Sequence, residues 1–484
     1  MMKKIKEDRH GSDRAAARRG KMVDVVVVGA GISGLSAAFF LKEKGYRVMI
    51  VEKESRVGGN IRSERRQGFL IEYGPNSILE TTPALGTLID AAGLRERVIY
   101  AGETAKKRYI LRDRRLQPLP TSLPAFIKTE LFSGRAKRRL LREPFIKPYS
   151  GEDDESLAAF VVRRLGQEFL DYAINPFVAG VYAGAPERLS VRHGFPKLYQ
   201  LEQKYGSLIR GTIGGMRERK RSGETAKDRA RMLSFEEGLS QLTDTLGERL
   251  KESLQRQAEL THVDARRDGV WLKYKQKGRE QAVYAGHLLF TVPAQAYNHL
   301  PLTPGSDFMQ KLKEIYYPPV SMVFLGYDSI APHVPRDGFG FLVPAREKRR
   351  ILGTLWNSSI FRGRAPEKGM ALTTFVGGSR QPEMAKQSSE ELINLVKEEL
   401  RDIMGLNSEP AYAFVKPWPR AIPQYVPGYG AVLEAMEAFE KKNPRLHLAG
   451  NFRNGISVAD CIKQSWQLSE NLHRVLSENS HGFN

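Results

Sequence analysis

Residues Val25 to Gly34 read Val-Val-Val-Val-Gly-Ala-Gly-Ile-Ser-Gly and run on into Leu-Ser-Ala-Ala-Phe-Phe-Leu, ending at Leu41. A β-branched run, a glycine-rich break and an apolar stretch of helical length predict a buried strand, a tight turn and a helix. That order makes a dinucleotide site. Gly29 permits the turn, Gly31 lets the backbone approach a pyrophosphate at the helix N-terminus, and Gly34 lets helix and strand pack closely, with Ser33 in the same first turn. The uncharged run from Val25 to Leu41 nears the length of a membrane span, but its three glycines and two serines at motif spacing disfavour that reading.

A second strand, Tyr46 to Val51, ends in Glu52, 18 residues past Gly34, where a carboxylate reaches the ribose hydroxyls of an adenosine. The competing reading is a solvated charge at a strand end. Beyond Glu52 the chain brings Arg56, Gly58, Gly59 and Arg62 in the order Lys-Glu-Ser-Arg-Val-Gly-Gly-Asn-Ile-Arg. This extension resembles the second dinucleotide motif of the FAD-containing amine oxidase and porphyrinogen oxidase superfamily. The resemblance implies FAD.

The chain has 484 residues, 41% of them hydrophobic, enough for roughly three domains or lobes. Its one cysteine, Cys461, excludes an intramolecular disulfide and a cysteine-rich zinc site and is expected to be a buried thiol. The net charge of +21 is concentrated in residues 1–21, 106–147 and 201–231, and the remainder is close to neutral. A nucleic-acid reading surface would spread its cations and interleave aromatic platforms, so no nucleic-acid partner is expected. Residues 1–21 fit neither a secretory signal nor an acid-poor transit peptide and are expected to form a disordered basic arm. Residues 217–231, polar and without apolar periodicity, are expected to be a mobile loop.

Several separated motifs follow in order: Gly-Pro-Asn at 74–76, Lys-Lys-Arg-Tyr-Ile at 106–110, Pro-Phe-Val-Ala-Gly-Val-Tyr-Ala-Gly at 176–184 and Ala-Gly-Asn at 449–451. Together with the glycine motifs they resemble the oxygen-dependent protoporphyrinogen oxidase family from about residue 22 to residue 475. The resemblance implies a substrate site formed by Asn76, Arg108, Gly180, Leu342, Leu355 and Phe375. Leu342 and Leu355 would sandwich one pyrrole ring, Phe375 would stack on another, and Arg108 would clamp a propionate, since guanidinium matches a carboxylate bidentately. Each of these has a plainer reading: close-packed backbone for Gly180, ordinary core for the apolar groups, and surface charge for Arg108. The resemblance adds Gly74, Trp418, Asn451, Gly455, Ile456, Ser457 and Val458 to the FAD site, with Val263 near the adenine, though a buried strand valine is an equal reading there. Relatives often carry an acid where this chain has Asn451, which bonds without adding charge.

Residues 106–149 mix apolar groups (Leu119, Leu123, Phe126, Ile127, Leu131, Phe132, Leu140, Leu141, Phe145, Ile146) with cations (Arg135, Lys137, Arg138, Arg139, Arg142). Such a surface can rest in a membrane interface while its cations meet anionic head groups, or be a helical lobe with a solvated basic side. The resemblance favours the membrane. Residues 156–174 are expected to form an amphipathic helix that Asn175-Pro176 interrupts, and 177–184 to be too glycine-rich for a helix.

The expected architecture is α/β plus α+β, with a discontinuous Rossmann-like FAD domain (22–95, 233–305 and 416–484), a helical membrane-associating domain (96–215), a mobile loop (216–232) and a mixed-sheet substrate domain (306–415). The implied function is FAD-dependent oxidation of protoporphyrinogen IX by oxygen in heme biosynthesis, with no acid/base dyad and no metal. Coproporphyrinogen III oxidation, and more distantly amine or carotenoid oxidation, are the alternatives. A cytoplasmic protein on the inner face of a membrane is expected, and a homodimer is allowed.

Overall fold

The computed structural model describes residues 21–214, 230–302 and 307–481; most of the predicted N-terminal arm and of the predicted mobile loop lies outside them. Within the described part of that loop, Arg231 lies over the Tyr100 ring at 3.3 Å and Met232 opens the strand Met232–Phe235. That end of the segment is therefore packed.

The first sheet is built around Lys21–Val28. Its strand order is Leu254–Gln255, Val48–Val51, Lys21–Val28, Arg279–Phe290, Val270–Gln276 and Ala258–Ala265, with Leu446–Leu448 beside the end of Arg279–Phe290. Lys21–Val28 is parallel to both its neighbours. Both its faces are buried, as a continuous β-branched run requires. Val25 and Val27 face a core with Leu35, Leu242, Leu289 and Ile462, while Val26 and Val28 face one with Phe290, Tyr297, Phe308 and Met436. At roughly 1.5–3 kcal/mol per fully buried valine, the strand that presents the glycine turn is held from both sides.

The second sheet has the order Tyr412–Trp418, Val320–Tyr327, Met370–Gly377, Gly353–Trp356, Gly340–Leu342, Tyr109–Arg112 and Arg115–Pro118. The helix Ser389–Met404 covers one face with Leu392, Leu395, Val396 and Leu400 against Val323, Leu325, Phe341, Trp356 and Leu372. A Ser388/Glu391 capping box starts that helix and Gly405, at φ 69°, ends it. The opposite face carries Met322, Phe324, Phe375, Phe414 and Trp418 and packs on Phe69, Ile71 and Tyr73 of the nucleotide side. Residues 109–118, expected among the helices, thus complete the second sheet. The two strands pair with each other as a local hairpin, but what joins them to the sheet is the pairing of Tyr109 and Ile110 with Phe341 and Leu342, more than 200 residues away, which nothing local marks.

The helices of the remaining lobe include Leu123–Lys128, Gly134–Leu140, Leu157–Arg164, Asn175–Tyr182 and Pro196–Tyr205. The single helix expected over 156–174 is broken at Gly166, whose φ is 99°, and continues through the π-type turn Leu170–Ile174. Asn175–Tyr182 is helical despite Gly180. Pro176 follows directly on that π-type turn, so residues 167–182 are helical without a break and the interruption expected at Asn175-Pro176 does not occur; Ala183 ends the helix in left-handed backbone. Buried charges tie this lobe together: Arg164, fully buried, pairs with Glu202 at 2.5 Å and Glu143 at 3.2 Å, and Arg163 with Glu155 and Glu202, each at 2.7 Å. Removing one member of such a set leaves an uncompensated charge, at about 3–5 kcal/mol.

Candidate functional site

The glycine turn has the shape a pyrophosphate needs. Gly29 has φ +102° and its N–H is held by the Val51 carbonyl at 2.9 Å. No side chain caps the helix Ile32–Glu43 that begins after Gly31, so its first N–H groups are left for an anion. A Cβ on Gly31 would meet nothing within 4 Å, whereas one on Gly34 would overlap the Gly29 carbonyl oxygen and lie 2.6 Å from Thr291 Oγ1. One glycine faces open space and the other a packed contact, as the motif predicts. Ser33 is buried, and so is the Cys461 thiol, whose pKa burial pushes up to about 11.

Glu52 stands at this turn. One carboxylate oxygen accepts the Ala30 N–H at 2.6 Å and the other the Glu54 N–H at 2.8 Å. The Gly58–Gly59 turn is brought against it, with Gly58 N–H donating to the Ala30 carbonyl at 2.8 Å. Arg56 acts from behind, donating to the carbonyls of Val57 at 3.0 Å, Ile61 at 3.2 Å and Gly59 at 2.5 Å. Arg62 bonds Glu64 at 3.2 Å and lies over the Tyr73 ring at 4.6 Å. A side chain at Gly74 would overlap the Asn60 carbonyl oxygen, so this turn needs glycine. Val263 pairs with Leu272, and its side chain is buried in the same core as Val26.

The C-terminal elements close the same site. Trp418 Nε1 donates to the Tyr73 carbonyl at 3.0 Å. Tyr425 joins two expected cofactor residues: its hydroxyl donates to the Asn451 carbonyl at 2.8 Å and accepts the Gly455 N–H at 3.1 Å. Gly455 has φ +130°, and after Ile456 the Ser457 hydroxyl and Asp460 carboxylate, 2.6 Å apart, start the helix Val458–His481. The glycine turn, Glu52 and this helix start fit FAD: they offer a cleared backbone, free N–H groups and a carboxylate for ribose hydroxyls.

On the substrate side, cross-strand register decides which residues share a face. Leu342, Gly353, Phe375 and Met322 form one row, and Gly340, Leu355, Thr373 and Phe324 the next. Directly opposed residues project to the same side. Leu342, Leu355 and Phe375 therefore lie on one face, each half-buried; Phe375 packs on the cluster of Phe69, Ile71 and Tyr73, Leu342 on that of Ile110, Leu131 and Phe132, and Leu355 on that of Ile99, Ile360 and Phe361. Gly180 does not stand open, because a Cβ there would overlap Leu342 Cδ2, so the glycine brings its helix against that leucine. Asn76 Nδ2 donates to the Gly74 carbonyl at 3.2 Å and its Oδ1 accepts from Asn357 Nδ2 at 2.7 Å. Asn357 carries no sequence signal, since only the tertiary contact selects it. Arg108 is exposed, lies over the Phe339 ring at 5.1 Å, and has no acid partner among the described residues. Desolvation by the surrounding protein lowers its pKa.

Among the described residues there is no cluster of three metal-ligating side chains and no helix long and apolar enough to cross a membrane.

Residues 32–472 match the family model described as flavin containing amine oxidoreductase. Protoporphyrinogen oxidase 2 of Arabidopsis thaliana is 34% identical, over 90% of this chain and 91% of its own length. A coproporphyrinogen III oxidase of Bacillus subtilis (strain 168) is 29% identical over 91% and 96%. The crystal structure of an Exiguobacterium sp. 255-15 protein assigned as a protoporphyrinogen oxidase superposes with a TM-score of 0.76 at 26% identity, covering 93% of this chain and 98% of that one. The chain belongs to the flavin containing amine oxidoreductase family, alongside the protoporphyrinogen and coproporphyrinogen oxidases, and is an FAD-dependent oxidase.

Proposed function

We propose that this chain oxidises protoporphyrinogen IX to protoporphyrin IX, removing six electrons in three two-electron steps while three oxygen molecules are reduced to hydrogen peroxide. The observation that carries this reading is a wall of Leu342, Leu355 and Phe375 on one sheet face, edged by Arg108, which has no acid partner among the described residues. FAD supplies the two-electron acceptor and passes the electrons to oxygen. The residues of the chain bind and orient: the apolar wall holds ring faces and keeps water away, and Arg108 fixes the propionate edge. No acid/base pair is required, because the pyrrole nitrogens lose their own protons as the macrocycle rearranges. Anaerobic mixing with the porphyrinogen should bleach the flavin, and an unbleached flavin would refute the assignment. Coproporphyrinogen III is the second reading, supported by the name of the Bacillus relative.

We further infer that residues 123–147 rest on an anionic membrane at the cytoplasmic face. Leu123, Ile127, Leu141 and Phe145 are among the most exposed large apolar side chains, at 72, 65, 73 and 81%. Exposed Lys128, Arg135, Arg138, Arg142 and Lys147 lie along the same segment. A homodimer is compatible with this arrangement.

A further inference from the structure

Given the tetrapyrrole reading of the site, on which this rests, we propose that Lys416 is a second carboxylate-binding residue, placed at the edge of the substrate wall opposite Arg108, and that it admits porphyrinogens with carboxylates on both edges. The register puts Lys416 opposite Met322, which is opposite Phe375, which is opposite Gly353, which is opposite Leu342. Lys416 therefore continues the row that contains Phe375 and Leu342, on the same face. Its neighbours on that face, Phe414 and Trp418, pack toward Tyr73 of the nucleotide side.

The lysine is half-buried, and among the described residues it has no acid partner. Its ammonium lies 4.9 Å from the centroid of the Trp418 ring, an aromatic seat that holds a cation without neutralising it. Arg108 has the same two properties, an aromatic seat on Phe339 and, among the described residues, no counter-charge. Ile110 pairs with Leu342, so the strand entered from Arg108 lies at the other side of the wall. Five strand spacings separate it from the Lys416 strand, ~24 Å between backbones at about 4.8 Å each, which two long side chains reaching inward bring to roughly half. A tetrapyrrole with carboxyl arms on opposite edges spans that gap. Protoporphyrinogen presents propionates on one edge only, and its vinyl edge would meet the apolar stem of the lysine. Coproporphyrinogen presents propionates on both and would meet the ammonium.

Steady-state kinetics of the FAD-loaded full chain with protoporphyrinogen IX and coproporphyrinogen III test this, comparing wild type, Lys416→Met and Lys416→Arg. The expected result is a rise of about tenfold or more in KM for coproporphyrinogen in Lys416→Met, with kcat retained, protoporphyrinogen kinetics within about twofold of wild type, and recovery in Lys416→Arg. An equal loss with both substrates accompanied by a shifted flavin midpoint potential would place the charge at the cofactor and overturn the proposal. So would wild-type turnover of both substrates with no selective loss in the variant, or a wild type that refuses coproporphyrinogen alone. A wild type that turns over neither overturns the tetrapyrrole reading itself, which separates the two failures.

Discussion

Gly34 lies directly on the carbonyl of Gly29, so close that a Cβ on the first would overlap the oxygen of the second, while Gly31 between them borders open space. The two positions therefore fail differently. Gly31→Val should fold with little loss of apoprotein stability and yet not retain FAD, because the added atoms occupy only the cofactor's volume. Gly34→Ala should lower stability itself, since backbone cannot give way, by about 1–3 kcal/mol. Thermal unfolding of the apoprotein and flavin absorbance after gel filtration distinguish them; a fully loaded Gly31→Val protein would be inconsistent with this geometry.

Arg108→Ala should raise KM for protoporphyrinogen and lower kcat/KM roughly ten- to a hundredfold, as expected for loss of a charge-assisted contact. Arg108→Lys should recover part of that, because an ammonium lacks the planar fork. Wild-type efficiency in the alanine variant would remove the clamp.

Binding to anionic vesicles should fall when Arg135, Arg138 and Arg142 are neutralised together, and also in high salt. Lys137 is a different case. Its ammonium donates to the carbonyls of Ile127 at 2.8 Å and Thr129 at 2.6 Å, and Arg139 reaches the Arg163 carbonyl at 2.8 Å. Lys137→Gln should therefore destabilise the lobe rather than weaken attachment alone. Vesicle sedimentation beside thermal unfolding reads the two effects separately.

Glu72 supplies a pH dependence. Buried at 2% exposure, its carboxyl is pushed from 4.5 up to about 7 by desolvation, against hydrogen bonds from Ser63 and the Leu239 N–H and the nearby charge of Arg364. The unfolded chain releases this proton near pH 4.5 and the folded one near 7, so stability from this group is full below 4.5 and falls as pH rises toward 7. The change is on the order of 3 kcal/mol. Relative to wild type, Glu72→Gln should gain stability across that interval, seen as a flatter profile of denaturation midpoint against pH.

The nucleotide half of the molecule was largely legible because its constraints are local. A turn that requires positive φ at Gly29, and a strand buried on both faces, write themselves into consecutive residues. The proposed substrate residues rest on family resemblance alone, since half-buried leucines at strand spacing look like any core. What escaped is long-range. The pairing of Tyr109 with Phe341, the Asn357–Asn76 bond and the Arg164–Glu202 pair join residues whose neighbours in sequence announce nothing. The helix at 175–182 escaped for another reason: Pro176 reads as a breaker, yet the π-type turn Leu170–Ile174 runs straight into it.

The first sheet draws its strands from residues 21–51, 254–290 and 446–448. During synthesis the glycine turn leaves the ribosome early, but Thr291, which bonds the Val28 carbonyl beneath it at 2.9 Å, emerges some 260 residues later, and the Asn451–Gly455 side of the cofactor site later still. Cofactor capture must therefore wait for the Asn451–Gly455 side, and until Arg279–Phe290 arrives one edge of the apolar strand Lys21–Val28 stays open.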